Sequence, residues 1–261
     1  MRSFRVTFLG TGTSHGIPVI GCSCPVCMST DEHDKRYRSS ILIEDGNHTL
    51  LIDTTPELRL QALRSNLKDI DAVLYTHDHA DHFNGIDDLR MFCRTKSLPV
   101  YCSDQVAQSI ASRFSYVLKR YDEAGGIPHL NPQILAPYQE IEVAGFPIIP
   151  IPIYHGNQMI FAFRIGSFIY ATDCSGVPEE SLPYFEGVDT LVVGSLRYSP
   201  HPTHFCVFEA VAFAEKVGAK RVYLTHLCHD LSHRKLEAEL SEGMHVAYDM
   251  LTIEIGEHHG D

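Results

Sequence analysis

Short apolar runs separated by turn residues dominate the hydrophobic pattern of the chain, and they predict many short strands. The turn Asp45-Gly46-Asn47 between two such runs is typical of a hairpin. The predicted strands are residues 5–9, 39–44, 49–52, 72–75, 100–102, 141–143, 147–154, 160–165, 168–172, 190–193, 221–224 and 247–255. Apolar residues at helical spacing predict helices at residues 56–65, 85–93, 104–119, 178–184, 203–217 and 233–240. Residues 124–137, with several Gly and Pro, are predicted to be a loop.

Two strand-rich halves, each followed by helices, predict an α/β (α+β) fold in which two sheets pack face to face with helices outside, an αββα sandwich. The chain has 261 residues, of which 44% are hydrophobic, so it can bury a full core. No internal repeat or linker divides it. We therefore expect a single domain covering residues 1–261.

The charge pattern limits the possible partners. The formal net charge is -12, and the only dense basic run is Lys35-Arg36-Tyr37-Arg38, which is too short to follow a nucleic-acid backbone. An extended nucleic acid is therefore an unexpected partner. No apolar run reaches the roughly 18 to 20 residues of a membrane span, and the N-terminus lacks a signal-peptide pattern. We expect no membrane association and a cytoplasmic location.

The highest density of histidines and aspartates lies in "LYTHDHADH", residues 74–82, at the end of a predicted strand. His77 and His79 can project together from an extended segment, while Asp81 and His82 can reach a second point. Neutral imidazoles and carboxylates are ligands that Zn²⁺, Mn²⁺ and Fe²⁺ accept. An ordinary polar turn capped by Asp81 would not need so many of these residues. The spacing predicts two metals.

A second group of metal-binding residue types lies in "GCSCPVC". Cys22, Cys24 and Cys27 are too close together for ordinary disulfide bridging and are well placed for a metal. Three thiolates need a fourth ligand to close a tetrahedral structural zinc site. The alternative is three buried, unpaired cysteines.

These motifs resemble those of the metallo-β-lactamase fold superfamily. "THDHADH" fits its HxHxDH signature, and "FLGTGTSHGIP" is similar to the opening strand and loop of its phosphodiesterase and tRNase Z branches. The resemblance implies that His77, His79 and His155 in "PIYHGN" hold one metal. It implies that Asp81, His82 and His226 in "VYLTHLCH" hold the other, and that Asp173 in "FIYATDCSG" bridges them.

The chain most resembles the PhnP-like (phosphoribosyl cyclic phosphate) phosphodiesterases. That resemblance implies that His229 completes a Cys3His zinc site with the three cysteines, although the pyrroloquinoline quinone biosynthesis protein B also carries a cysteine cluster here. It also implies that His204, in "HPTH", is the proton donor. His204 and Asp81 are the expected catalytic residues. Arg197 and His201 lie nearby without an assigned role.

The resemblance implies a dinuclear phosphodiesterase that hydrolyses a small, cyclic, sugar or nucleotide phosphodiester by a metal-bridging hydroxide. The implied cofactors are two catalytic divalent ions, Zn²⁺, Mn²⁺ or Fe²⁺, and one structural Zn²⁺. A homodimer is left open. Two alternatives remain: a tRNase Z-like RNA 3′-processing nuclease, and a pyrroloquinoline quinone biosynthesis B-like cofactor-pathway protein. The chain lacks a long basic arm, and "LCHDLSHRK" departs from the tRNase Z ending H-x-S-x-R-Y. The remaining histidines are expected in solvent or loops: His15, His33, His48, His129, His233, His245, His258 and His259.

Overall fold

The computed structural model describes residues 3–94, 96–118 and 126–256. Its strands are β1 Phe4–Gly10, β2 Ser40–Glu44, β3 Thr49–Ile52, β4 Ala72–Leu74, β5 Leu98–Cys102, β6 Leu130–Ile134, β7 Ile141–Val143, β8 Phe146–His155, β9 Gln158–Ile165, β10 Phe168–Ala171, β11 Thr190–Gly194, β12 Arg221–Thr225, β13 Met244–Val246 and β14 Thr252–Ile255. Its α-helices are α1 Leu58–Arg64, α2 Ala80–Phe83, α3 Asp104–Arg113, α4 Val207–Val217 and α5 His233–Glu239. Shorter 3-10 helices span Glu32–Asp34, Ile86–Phe92, Ser115–Leu118 and Glu179–Phe185. None of the helices in these ranges has the length and apolar composition that a membrane span requires.

The strands form two mixed sheets of 7 strands each, in the orders β14-β1-β2-β3-β4-β5-β6 and β13-β12-β11-β10-β9-β8-β7. Strands β3 to β6 run parallel in the first sheet, and β10 to β13 run parallel in the second. The carboxyl ends of parallel strands meet at one edge of a sheet. Loops leaving those ends can therefore bring distant residues together.

The core lies in three layers, as expected for helices outside two packed sheets. Between the sheets, Phe8 and Ile41 of the first pack in one cluster with Phe163 and Tyr170 of the second. A second cluster joins the outer face of the second sheet to α4 and α5, and a third joins the outer face of the first sheet to α3 and the 3-10 helix Ile86–Phe92. Because both faces of each sheet are covered, the central strands are apolar almost throughout. The predicted αββα sandwich is confirmed.

Two predictions about strands were wrong: one strand was missed, and the bounds of another were misplaced. The predicted loop 124–137 contains β6, whose Leu130 pairs with Leu98 of β5. Its sequence LNPQI shows no alternation, and Pro132 is tolerated because β6 lies at the edge of the sheet. The predicted strand 247–255 is also wrong in its bounds. Its C-terminal part, β14, pairs with β1, whereas β13, upstream of it, belongs to the other sheet, so the chain changes sheets between them.

The predicted helices are shorter than the patterns suggested. Predicted helix 203–217 begins at Val207, with Cys206 as its N-cap. The Thr203 carbonyl instead accepts from the His155 side chain, and the Phe205 backbone bonds to Cys174 and Leu196. Predicted helices 85–93 and 178–184 are 3-10 turns, the second containing Pro183. Predicted helix 104–119 ends at Arg113 and is followed by a 3-10 turn, with Lys119 outside the described residues.

One of the histidines expected in solvent or loops is neither. His233 is the first residue of α5, and only 9% of it is exposed. Its ring packs at 4.6 Å from that of His33, which explains its burial. His258 and His259 lie outside the described residues.

Candidate metal centre

The candidate ligands lie in loops that leave the ends of four strands. The HxHxDH segment follows β4: His79 is extended, and the single turn α2 then places Asp81 and His82. His155 ends β8, while Asp173 and His226 follow β10 and β12.

Asp173 and His226 have left-handed backbone conformations, with φ of 55° and 58°. Such strain in non-glycine residues persists only when the surrounding structure fixes it, and it is common at functional sites.

The first group consists of His77, His79 and His155, whose nearest ring nitrogens all lie within 4.8 Å of one another. His155 Nδ1 lies 2.7 Å from the Thr203 carbonyl oxygen, to which it donates, so its Nε2 faces His79 Nδ1 at 3.2 Å. His77 Nδ1 lies 2.9 Å from the hydroxyl of Thr76, which leaves its Nε2 facing the site. The three imidazoles therefore aim one nitrogen each at a common point.

The second group consists of Asp81, His82, Asp173 and His226, which are all buried and whose ligand atoms also lie within 4.8 Å of one another. Asp173 Oδ1 is 3.2 Å from both His82 Nε2 and His226 Nδ1. Its other oxygen, Oδ2, is 3.9 Å from His77 Nε2 of the first group. The carboxylate of Asp173 therefore lies between the two groups.

The charge states of the histidines suit metal binding. Burial lowers the pKa of His77, His79 and His226, which keeps these imidazoles neutral and leaves a lone pair for a cation. The Nε2 atoms of His77 and His82 are buried and have no hydrogen-bond partner among the described residues. An unpartnered buried nitrogen is costly, and one divalent cation at each group would satisfy the nitrogen of that group. The donor set of imidazoles and carboxylates thus fits two divalent ions.

His82 differs from its neighbours. Burial alone would lower its pKa, but Asp173, Asp81 and Asp53 raise it above its ordinary value. His82 Nδ1 lies 2.7 Å from Asp53 Oδ2 and donates to it. The ring therefore carries a proton on Nδ1, the nitrogen that points away from the other candidate ligands. His82 Nε2, 3.4 Å from Asp81 Oδ2, is the nitrogen that faces the site.

Sequence analysis missed Asp53, which follows β3 and is fully buried with a φ of 64°. Its Oδ1 accepts from the Thr76 backbone N–H, and its Oδ2 accepts from the Thr76 hydroxyl and contacts His82. Thr76 in turn contacts His77, so one carboxylate orients a histidine of each group. Ser39, whose hydroxyl lies 3.4 Å from His226 Nδ1, was missed as well. The available signal was an aspartate directly after a buried strand, in "LLIDTTP".

His204 lies beside both groups. Its Nδ1 is 3.8 Å from Asp173 Oδ2, and its ring stacks on that of His226 with centroids 4.9 Å apart. Burial lowers the pKa of His204 to about 3, so its imidazole is neutral near pH 7. Its Nδ1 is also buried without a hydrogen-bond partner among the described residues.

The loop before His204 is shaped by Arg197, which donates to the carbonyls of Ser199 and Pro200. His201 Nδ1 accepts from the Thr203 backbone N–H at 3.3 Å. These contacts bend the loop and bring His204 toward the candidate ligands. They give Arg197 and His201 local structural roles.

Asp78, the remaining acid of the motif, belongs to neither group. Its side chain contacts Ser109 and Gln105 of α3, and Arg113 donates to its carbonyl oxygen at 2.7 Å. Arg113 also packs over the ring of Phe83 in α2. These contacts fasten the loop with the candidate ligands to α3.

Cys22, Cys24, Cys27 and His229 form a separate group within the same 4.8 Å limit. His229 Nδ1 lies 3.2, 3.5 and 3.6 Å from the three sulfurs in that order. A hydrogen bond from the Cys27 backbone N–H is the main cause that lowers the pKa of Cys24 to about 6. Cys24 is therefore largely a thiolate at neutral pH, the form that binds metal. The set fits a tetrahedral Zn²⁺.

Comparison with known proteins places the chain in a family. The model of the beta-lactamase superfamily domain matches residues 48–227, more than half of the chain. The crystal structure of a diphosphatase from the PhnP family superimposes with a TM-score of 0.90, at 38% identity and over 97% of each chain. Two curated relatives also align. An octanoyltransferase of Porphyromonas gingivalis is 37% identical over 259 residues, 97% of this chain. The coenzyme PQQ synthesis protein B of Methylobacterium nodulans is 27% identical over 72% of this chain and 71% of its own.

The chain spans only 52% of the length of the octanoyltransferase, about half of that protein. The superfamily match and the PhnP-family neighbour together support a metal-dependent hydrolase. The chain belongs to the beta-lactamase superfamily, as a PhnP-like metallo-β-lactamase.

Proposed function

We propose that this protein is a phosphodiesterase that hydrolyses a small, cyclic phosphodiester of a sugar or nucleotide. The observation that carries the proposal is the position of Asp173, with one oxygen toward His82 and His226 and the other toward His77. A carboxylate placed in this way can bridge two cations, Zn²⁺, Mn²⁺ or Fe²⁺. When bound, two such ions would supply a bridging hydroxide as nucleophile and polarise the phosphate oxygens. A third, structural Zn²⁺ would occupy the Cys3His group.

The chain's own residues would then orient the substrate and move the proton. Asp81, the second expected catalytic residue, holds its negative charge beside His82: burial raises its pKa, but His82 and other contacts lower it below its ordinary value. His204 is neutral in the free protein, and an anionic phosphodiester beside it would raise its pKa and favour the imidazolium. His204 would then protonate the leaving alkoxide.

The net charge of -12 supports a small substrate rather than RNA, because a long polyanion would be repelled. The PhnP-family neighbour supports phosphate-ester chemistry. The octanoyltransferase match does not support acyl transfer for this protein, because this chain covers only about half of that enzyme. The likeness to the PQQ synthesis protein keeps a cofactor-pathway role as the second candidate.

The test is turnover by metal-replete protein of bis-p-nitrophenyl phosphate, a ribose cyclic phosphate, a linear ester with the same leaving group as the cyclic one, and a tRNA precursor. We expect both small esters to be hydrolysed, the cyclic one faster than a linear ester with the same leaving group. Asp173→Asn should abolish turnover and release metal. Asp189→Asn is the matched control, since Asp189 pairs with Arg221 at 3.0 Å outside either group, and it should retain turnover.

Absence of phosphodiester turnover in protein that holds its metals would overturn the proposal and favour the cofactor-pathway role. Faster cleavage of the tRNA precursor would favour the nuclease. Equal rates on the cyclic and linear esters would remove the cyclic preference.

A further inference from the structure

The segment from His226 to Leu231, here called the double-ligand turn, carries candidate ligands for both metal sites. His226 belongs to the dinuclear group, and His229, three residues later, belongs to the Cys3His group. The turn begins with the left-handed φ of 58° at His226, which ordinary side chains avoid. Something outside the turn must hold it in this conformation.

Part of the restraint comes from backbone hydrogen bonds. The Leu227 N–H donates to the Thr11 carbonyl, and the Thr13 N–H donates to the Leu227 carbonyl. The Cys228 N–H donates to the Leu196 carbonyl. Within the turn, the Leu231 N–H donates to the Cys228 carbonyl at 3.3 Å. None of these bonds can be removed by changing a side chain.

Arg36 adds side-chain hydrogen bonds to two carbonyls in the second half of the turn. Its side chain is completely buried, with 0% exposed. Nη1 donates to the Cys228 carbonyl at 3.1 Å, and Nη2 donates to the Leu231 carbonyl at 2.7 Å. One rigid guanidinium therefore spans the turn on both sides of His229.

The base of Arg36 is itself fixed. Its backbone N–H and C=O exchange hydrogen bonds with Ile17, which packs with Cys27 at the cysteine loop. Nη2 also reaches Asp34 Oδ1 at 3.4 Å, and the same oxygen accepts from the His233 backbone N–H at the start of α5. The guanidinium thus connects the cysteine loop, the double-ligand turn and the following helix.

We infer that Arg36 is a positioning residue for His226, holding the double-ligand turn so that this histidine reaches Asp173. The inference rests on the proposed metal sites. Arg36 touches neither group of ligands through its own side chain, so it acts only through the turn. Its loss should therefore weaken the two sites that take a ligand from the turn, those of His226 and His229, and spare the one formed by His77, His79 and His155.

The test is Arg36→Met, which keeps the length of the side chain and removes all donors. Mn²⁺ is titrated into protein whose dinuclear centre has been emptied by mild chelation with the Cys3His zinc retained, and electron paramagnetic resonance separates a spin-coupled pair from a single ion. We expect the affinity for one ion of the pair, the one held with His226, to fall about 10- to 100-fold, as for other residues that orient a ligand, while the other ion binds as in wild type.

Arg164→Met is the matched control, because Arg164 donates to the carbonyls of Gly166, Tyr184 and Glu186 far from the turn. It should lower stability without changing the coupled pair. If Arg36→Met does not fold, Arg36→Lys keeps the charge but cannot span both carbonyls, and it should show the same selective loss in smaller degree.

A coupled pair of unchanged affinity in a folded Arg36 variant would overturn the inference. An equal loss of both ions, matched by Arg164→Met, would do the same, since it would show general destabilisation. Failure of the wild-type protein to bind a coupled pair would instead count against the proposed dinuclear centre.

Discussion

Asp53→Asn tests the orientation of the candidate ligands most directly, because Asp53 contacts a histidine of one group and, through Thr76, a histidine of the other. The substitution keeps the shape but leaves only one acceptor oxygen. If that oxygen faces His82 Nδ1, the new amide N–H₂ meets the Thr76 backbone N–H, donor against donor. If it faces Thr76, the amide donates to His82 Nδ1, which moves the His82 proton to Nε2. That nitrogen faces Asp81 and Asp173 and could then no longer accept a cation.

The first orientation of the amide loses the hydrogen bond from the Thr76 backbone N–H, and the second loses the tautomer of His82 that can bind a cation. A hydrogen bond to a charged group is worth about 1.5 to 3 kcal/mol, and a lost orienting partner typically lowers metal affinity about 10- to 100-fold, or about 1.4 to 2.8 kcal/mol. The two ranges agree. We therefore expect Asp53→Asn to lower the affinity of the dinuclear centre about 10- to 100-fold and to lower turnover at limiting metal.

The assay is competition with a chelator of known affinity, monitored by metal analysis after gel filtration. Asp249→Asn is the control. Asp249 is also a buried carboxylate, accepting from the Thr11 hydroxyl and the Tyr37 backbone N–H, but it contacts no candidate ligand. An Asp53→Asn protein with wild-type metal affinity would refute the orienting role, provided that its melting temperature shows a folded protein.

Three further predictions follow from the site and its surroundings. His204→Ala should keep its metal and lower kcat about 10²- to 10⁴-fold on an alkyl phosphodiester, but less on a p-nitrophenyl ester, whose leaving group needs no proton; equal losses on both esters would rule out the proton donor. Metal analysis should find more than two ions per chain, and Cys24→Ala should remove one and lower the melting temperature more than it lowers turnover, whereas a wild-type stoichiometry of two or less would exclude the Cys3His site. Burial raises the pKa of Asp249 to about 7, above its unfolded value, so its contribution to stability is complete at acid pH and is lost as pH rises toward and through 7. Chemical denaturation across that range should show a loss that Asp249→Asn lacks, and identical pH profiles for the two proteins would contradict it.

The HxHxDH segment and the cysteine run could be identified from sequence because each is local. Within a few residues, His77, His79, Asp81 and His82 cannot lie far apart, and the alternation between an extended segment and one helical turn already directs them to two points. Apolar patterning likewise predicted most strands, since burial on both faces of a sheet leaves little choice of side chain. The edge strand β6 escaped because its pairing with β5 overrides a weak local pattern.

The contacts between distant segments were decided by the tertiary structure. Nothing in "LLIDTTP" distinguishes Asp53 from an aspartate that merely ends a strand, and its contact with His82 exists only because β3 and β4 are parallel neighbours whose ends meet. Arg36 belongs to a short basic run, and its sequence gives no sign that folding buries it against the carbonyls of Cys228 and Leu231, about two hundred residues away along the chain. The sequence determined which side chains can bind metal, because that depends on chemical type. Which side chains orient them depends on distances that only the packing of the two sheets sets.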